Sequence, residues 1–332
     1  GADWPWGDPL RAHGVAMEGY FWRITDGDRA LIALIGVNRS AVGRWATLGL
    51  ASTTTLRTTA YPTAYADPER LAVRAGEAFV ADGDSVRVDL GEGARLVARV
   101  EDRVGWPGGR PFGGASIFQS VPRLNQYWHP WLLGGRACGY AEFDGERWEF
   151  DGAQVYGEKN WGAEGFPDAW WWGQAHGFAE RDVCVAFAGG EVTAGPLRTT
   201  VTALVVRLPD GRVLRLGDPV VSPVRAEVGD ETWNLRGLLG RWRVDVTGEA
   251  PLGAAHVLPV PLPSQRRNTA GAIEHVTGSL RVRVCRGSAL VWEGQSSVAG
   301  LEHGGLARAE AELRRRGIPA GAEGAAPLGG DR

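Results

Sequence analysis

Lysine is almost missing from this sequence. Of 36 lysines and arginines one is a lysine, Lys159. Arginine has taken nearly every position that needs only positive charge. A surviving lysine in a crowded segment therefore marks a place where a compact ammonium fits and a planar fork does not. Cysteine is scarce too. Cys138, Cys184 and Cys285 are far apart, odd in number and form no CxxC. That excludes a disulfide framework and fits a reducing, cytoplasmic setting. No apolar run approaches the ~20 residues that span a bilayer. Basic runs are short and the net charge is −3, which argues against nucleic acid as a partner. The sequence has no HExxH, P-loop, GxSxG or GxGxxG, and its six histidines are scattered. No metal or other cofactor is expected, and the site should be made of carboxylic acids and aromatics.

Glycine and tryptophan are abundant, at 49 and 15. Short runs of period-2 or β-branched character recur from Val15–Thr25 to Ala289–Glu293, separated by Asp-Gly turns such as Asp82-Gly83 and Asp210-Gly211. This is the pattern of antiparallel hairpins, and it predicts an all-β protein of barrels or sandwiches. One helix is expected at Leu306–Arg316, rich in helix formers and ended by Gly317. Two segments read as long connections, Gly105–Gly114 and the proline-rich Glu249–Gly271. The composition beyond Gly317 predicts a flexible tail over 319–332. A boundary near Gly162–Pro167 divides the chain into domains 1–165 and 166–318.

Five segments could carry chemistry. On an extended Val15–Thr25, Glu18 shares a face with Tyr20 and Trp22, where an unpaired carboxylate would be costly. Ser120–Gly135 concentrates Asn125, Tyr127 and His129. Tyr156–Gly162 places Glu158, Lys159 and Asn160 between Tyr156 and Trp161, with Lys159 facing away from the other two. In Asp168–Ala179 one face carries Trp170, Trp172, Gln174 and His176, a wall suited to an apolar ligand with a polar end. In Ala272–Cys285, Glu274 is the only charge on the apolar side; a buried glutamate there would be a proton donor.

Asn125-Gln-Tyr-Trp-His129-Pro-Trp-Leu-Leu-Gly-Gly135, Tyr156-Gly-Glu-Lys-Asn-Trp-Gly162, Phe166-Pro and Trp170-Trp-Trp-Gly-Gln174 resemble the tocopherol cyclase family. So do Glu18-Gly-Tyr-Phe-Trp22, Leu258-Pro-Val-Pro-Leu262 and Ala272-Ile-Glu274-His275. The resemblance runs in order from about residue 13 to 305. It departs from the plant pattern at Tyr20-Phe21-Trp22 and Gly157. It implies two lipocalin-like antiparallel β-barrel domains with a pocket between or inside them. It also implies closure of a ring by protonating an alkene and capturing the cation with a phenol oxygen. On this reading Glu274 or Glu18 donates the proton, and Trp161, Trp172 and Trp22 stabilise the cation through their π faces. Asn160, Lys159, Tyr127 or His129 would hold the phenol. The expected partner is a lipophilic small molecule, which makes peripheral contact with a membrane reasonable. The rival readings are a pericyclase, a hydratase and a non-catalytic lipid- or pigment-binding barrel.

Overall fold

A computed structural model describes residues 2–91, 93–163, 165–319 and 321–328. The first sheet is built from β1 (Met17–Asp26), β2 (Arg29–Ser40), β3 (Gly43–Ala51), β4 (Leu56–Tyr61), β5 (Tyr65–Ala66), β6 (Ala72–Ala75), β7 (Phe79–Asp82), β8 (Ser85–Asp89), β9 (Arg95–Gly105), β10 (Tyr127–Phe143) and β11 (Glu146–Gly162). The second is built from β12 (Trp170–Ala175), β13 (Cys184–Ala194), β14 (Leu197–Arg207), β15 (Val213–Leu216), β16 (Val224–Val228), β17 (Thr232–Leu239), β18 (Trp242–Glu249), β19 (His256–Leu262), β20 (Arg267–Arg286) and β21 (Ala289–Gly304). A single helix, α1 (Leu306–Arg315), follows. Neighbouring strands are antiparallel, and short turns join most consecutive ones, whereas the longer segment 106–126 separates β9 from β10. At the β10–β11 turn Asp144 and Gly145 both have positive φ (52° and 87°), the backbone a two-residue hairpin needs.

The two sheets share a plan. In the first, the order is β4-β3-β2-β1-β11-β10-β9-β8-β7-β6-β5; in the second it is β15-β14-β13-β12-β21-β20-β18-β17-β16. In each sheet the first strand therefore pairs with the last, and the sheet curls around a core of its own. The first core includes Trp22, Leu48, Phe79 and Phe150; the second includes Phe187, Trp233, Val282 and Trp292. This is a pair of lipocalin-like barrels.

β1 is buried on both faces because it separates a core from a second layer. Tyr20, Trp22 and Ile24 enter the first core, whereas Phe21 packs with Trp172 and Leu258 of the second sheet. Arg23 also points at the second sheet and is fully buried. Its Nη1 donates to Thr25 Oγ1 (2.8 Å) and Gln174 Oε1 (2.9 Å), and its Nη2 to the carbonyls of Val276 (2.9 Å) and Val298. Those carbonyls are free to accept because the β20–β21 ladder shifts register between His275 and Gly278 and again before Leu280. Gly300 leaves the space: a Cβ there would lie 3.0 Å from both Arg23 Nε and the Trp172 ring.

A second buried charge cluster lies on the other face of β1. Lys159 Nζ donates to Arg11 O (2.6 Å) and His13 Nδ1 (2.8 Å) and pairs with Glu18 Oε2 (3.0 Å). The other ring nitrogen of His13, Nε2, lies 3.0 Å from Asp3 Oδ1. The N–H groups of His13 and Gly14 donate to Glu18. The cluster ties the segment before β1 onto the barrel.

Two expectations change. Glu249–Gly271 is not a connection: it contains β19 and the start of β20. Val257 N–H points away from β20, to Ala325 O. The same alternation puts Pro259 and Pro261 where the missing N–H costs no ladder bond, so proline is compatible with this edge strand. The segment after Gly317 is also held. Ala325 exchanges backbone hydrogen bonds with Val257, and Leu328 N–H donates to Gly253 O. Composition does not reveal this docking, because a backbone bridge requires no particular side chain. Ala320 and residues 329–332 of the expected tail lie outside the described residues.

Replacing Arg23 by Met should cost about 1–3 kcal/mol for each buried carbonyl left unpaired. A urea midpoint equal to wild type would disprove the linking role. Lys159→Met strands Glu18 and should cost about 3–5 kcal/mol, while Lys159→Arg overfills the site at about 1–3 kcal/mol. Glu18 is held down to about 2: burial opposes this, but the His13 and Lys159 contacts prevail. A depressed carboxylate pKa adds stability above its unfolded value and loses it as pH falls. Acid unfolding curves should show that loss below roughly pH 4.5, and Glu18→Gln should flatten it.

Candidate active site

A cavity opens between the two sheets. Its walls come from β1 and β2 on one side and from β12, β13, β14 and β19 on the other. Phe21, Phe166, Trp128, Trp170, Trp171 and Trp172 supply most of its aromatic surface. Polar groups are few, and two of them are carboxyls. Glu158 comes from the first sheet and Glu302 from the second.

Glu158 sits in register with Phe21 on β1. One of its oxygens, Oε2, accepts three hydrogen bonds, from Tyr156 Oη (2.6 Å), Trp172 Nε1 (2.7 Å) and Trp128 Nε1 (2.8 Å). Burial raises its pKa and the three donors pull it back, leaving it at about 6. Tyr156 remains a donor because burial and the neighbouring Glu158 push its own pKa well above 10. With Oε2 fully engaged, a proton on Glu158 belongs on Oε1. Its loss would place the charge where three donors already wait.

Glu302 sits in register with Trp172 on β12 and with Glu274 on β20. It accepts from Trp170 Nε1 at 2.5 Å, and burial raises its pKa to about 7. Glu274 is fully buried behind it. Burial and then the Glu302 charge push the Glu274 pKa well above the carboxylate range. Asn160 also borders the cavity, and its Oδ1 is buried without a partner. Gly19 makes room for it: a Cβ there would lie 2.4 Å from that oxygen.

Of the residues singled out from the sequence, Glu158, Asn160, Tyr20, Tyr127, Trp170 and Trp172 border this cavity. The others lie away from it. Glu18 and Lys159 form the charge cluster, so Glu18 is an ionised partner and not a proton donor. Trp22 packs on Phe79 and Trp131 inside the first barrel. Trp161 is stacked between His13 and Tyr127. Asn125 bonds the β13 backbone through Glu191 O and Thr193 N–H. His129 Nδ1 accepts from Gly114 N–H, and burial lowers its pKa to about 3. Gln174 accepts from Arg23. His176 Nε2 lies 3.2 Å from Leu133 O, and burial holds it at about 4. Glu274 reaches the cavity only through Glu302.

The reason is one of faces. Glu18 and Trp22 of β1 turn into the barrel, whereas Gly19 and Phe21 line the cavity from the opposite face, and Tyr20, though packed in the barrel core, still borders it. Trp128, Tyr156 and Glu302 were not anticipated. Tyr156 had a local signal, since it stands two residues before Glu158 on one strand face. Glu302 had a weaker one: Leu301-Glu302-His303 repeats the pattern of Ile273-Glu274-His275. Trp128 becomes a partner of Glu158 only through the β10–β11 pairing.

Comparisons with known proteins agree with this architecture. Over 78 residues the chain is 42% identical to "Probable tocopherol cyclase, chloroplastic" of Oryza sativa subsp. japonica and 40% identical to "Tocopherol cyclase, chloroplastic" of Zea mays. Each match covers 23% of this chain and 16% of the relative. The chain therefore matches about a sixth of the length of these curated relatives. In three dimensions it resembles the crystal structure of CghA with Sch210972 (TM-score 0.59, 13% identity, 88% of this chain and 89% of that one). It also resembles an AttH-type protein of Nitrosomonas europaea (TM-score 0.50, 12% identity, 90% and 96%). At these identities the structural likeness speaks to fold alone. The family model described as tocopherol cyclase-like matches residues 14–305, and the chain belongs to that family.

Proposed function

We propose that this protein is a cyclase that needs no cofactor for its chemistry. It would protonate an alkene of a lipophilic, prenylated substrate and close a ring by capture of the cation with a substrate hydroxyl. The observation that carries this reading is Glu158, a buried carboxyl on an aromatic cavity with three donors aimed at one oxygen. A general acid must hold its proton near neutral pH and still yield an anion that is well stabilised. Burial supplies the first property, and the Tyr156, Trp128 and Trp172 donors supply the second. The cation that forms would rest against the rings of Trp172, Trp170 and Phe166, each contact contributing about 0.5–2 kcal/mol. The unpartnered Asn160 Oδ1 suits a substrate hydroxyl. Folding the chain against this wall supplies the orientation that ring closure requires.

The test is incubation of the full chain with geranylhydroquinone in D2O under argon. The expected product is an isomer carrying one non-exchangeable deuterium, read by mass spectrometry. An isomer without deuterium points to pericyclic chemistry, a hydrated product to a hydratase, and unchanged substrate to a binding protein; each overturns the proposal. Glu158→Gln should lower turnover by roughly 10²–10⁴-fold. Because the acid must be protonated, the wild-type rate should be lost on the alkaline side as Glu158, held at about 6, gives up its proton.

A further inference from the structure

Ring closure of this kind needs two proton transfers, one onto carbon and one off oxygen, and the cavity holds two carboxyl sites on different sheets. Glu158 of β11 is the first. The second is Glu302 of β21, with Glu274 opposite it on β20. Neither oxygen of Glu274 meets a donor from any other residue, and the side chain is fully buried. Two adjacent carboxylates in such a place cannot both be charged, so the pair keeps one proton. Glu302 has the Trp170 N–H and the open cavity, while Glu274 has neither. The last proton of the pair therefore stays on Glu274, and Glu302, with a pKa raised by burial to about 7, is the member that ionises. The other charges near the pair are Arg23 of β1, which favours ionisation of Glu274, and Glu158, which opposes it for both.

We propose that Glu302, supported by the protonated Glu274 behind it, is the base that takes the proton of the substrate hydroxyl as the ring closes. This rests on the ring-closing reading, with Glu158 as the acid. The Glu158 O–H bond breaks and a C–H bond forms on the alkene. The hydroxyl oxygen bonds to the cationic carbon, its O–H bond breaks, and the proton passes to Glu302. Substrate and product are isomers, and the negative charge moves from Glu302 to Glu158. One proton passing back from Glu302 to Glu158, directly or through solvent after product leaves, restores the enzyme. Glu302 is the catalytic residue here, and Glu274 is a positioning residue that acts through it.

The experiment is the pH profile of kcat/KM for geranylhydroquinone with the full chain and its variants. Wild type should give a bell: the reactive form needs Glu158 protonated (pKa about 6) and Glu302 ionised (pKa about 7), so it is a minority form that peaks between those values and is lost on both sides. Glu302→Gln should lower kcat by roughly 10²–10⁴-fold and abolish the acidic limb while keeping the basic one. Glu274→Gln still offers an N–H to Glu302 and should keep the wild-type profile. Glu274→Leu offers none and should raise the pKa of Glu302, moving the pH optimum upward and lowering kcat/KM, a readout that serves even if Glu302→Gln fails to fold. If wild type forms no isomer, the ring-closing reading falls and the base falls with it. If wild type forms the deuterated isomer and Glu158→Gln loses it, but Glu302→Gln keeps rate and acidic limb, only the assignment of Glu302 is wrong. A pH optimum in Glu274→Leu equal to that of wild type would remove Glu274 from the account.

Discussion

The guanidinium of Arg23 is the fixed point between the two barrels. Among the described residues no carboxylate lies within ion-pair distance of it; its partners are a hydroxyl, an amide oxygen and two backbone carbonyls. A buried charge satisfied only by dipoles depends on all of them being present at once. Desolvation lowers its pKa to about 10, still high enough to keep it charged at neutral pH. The register shifts in β20–β21 look like defects within the second sheet. Seen from Arg23 they are what frees carbonyls to face the first. The cavity begins on the same seam, so the spacing of its walls depends on this contact.

Burial alone does not decide what a carboxyl does here. Glu18, Glu158 and Glu302 are all withdrawn from water, yet their states differ because their partners differ. Glu18 has an ammonium and two backbone N–H groups and stays ionised. Glu158 has neutral donors on one oxygen only and is poised between two states. Glu302 has a single indole N–H and another carboxyl. The ionised glutamate braces the fold, and the poised ones face the cavity.

Much of the fold was legible in the sequence. The Asp-Gly turns, the alternation and the Leu306–Arg315 helix specify an all-β chain with one helix, and the motifs from Asn125 to Gln174 point to the family. The site was legible only in part. Alternation in β1 assigns Glu18, Tyr20 and Trp22 to one face but cannot say which face is barrel interior, because both are buried. Glu158 and Asn160 were singled out because they sit in a dense local motif, and both border the cavity. Glu302 was missed because its place beside Glu274 comes from pairing across a hairpin. The prolines of β19 suggested a loop, and only the direction of the free edge shows why a strand tolerates them.

The register around the two cavity carboxyls has a consequence for descent. Glu158 lies on the last strand of the first sheet, opposite Phe21 on its first strand; Glu302 lies on the last strand of the second, opposite Trp172 on its first. Phe21 and Trp172 meet edge to face at 5.1 Å. The two halves thus bring corresponding positions together, as the copies of a duplicated barrel would after packing back to back. By position alone the two carboxyls are equivalent. Three donors on one side and a second carboxyl on the other break that equality, and the asymmetry gives the pocket a polarity that neither half has alone.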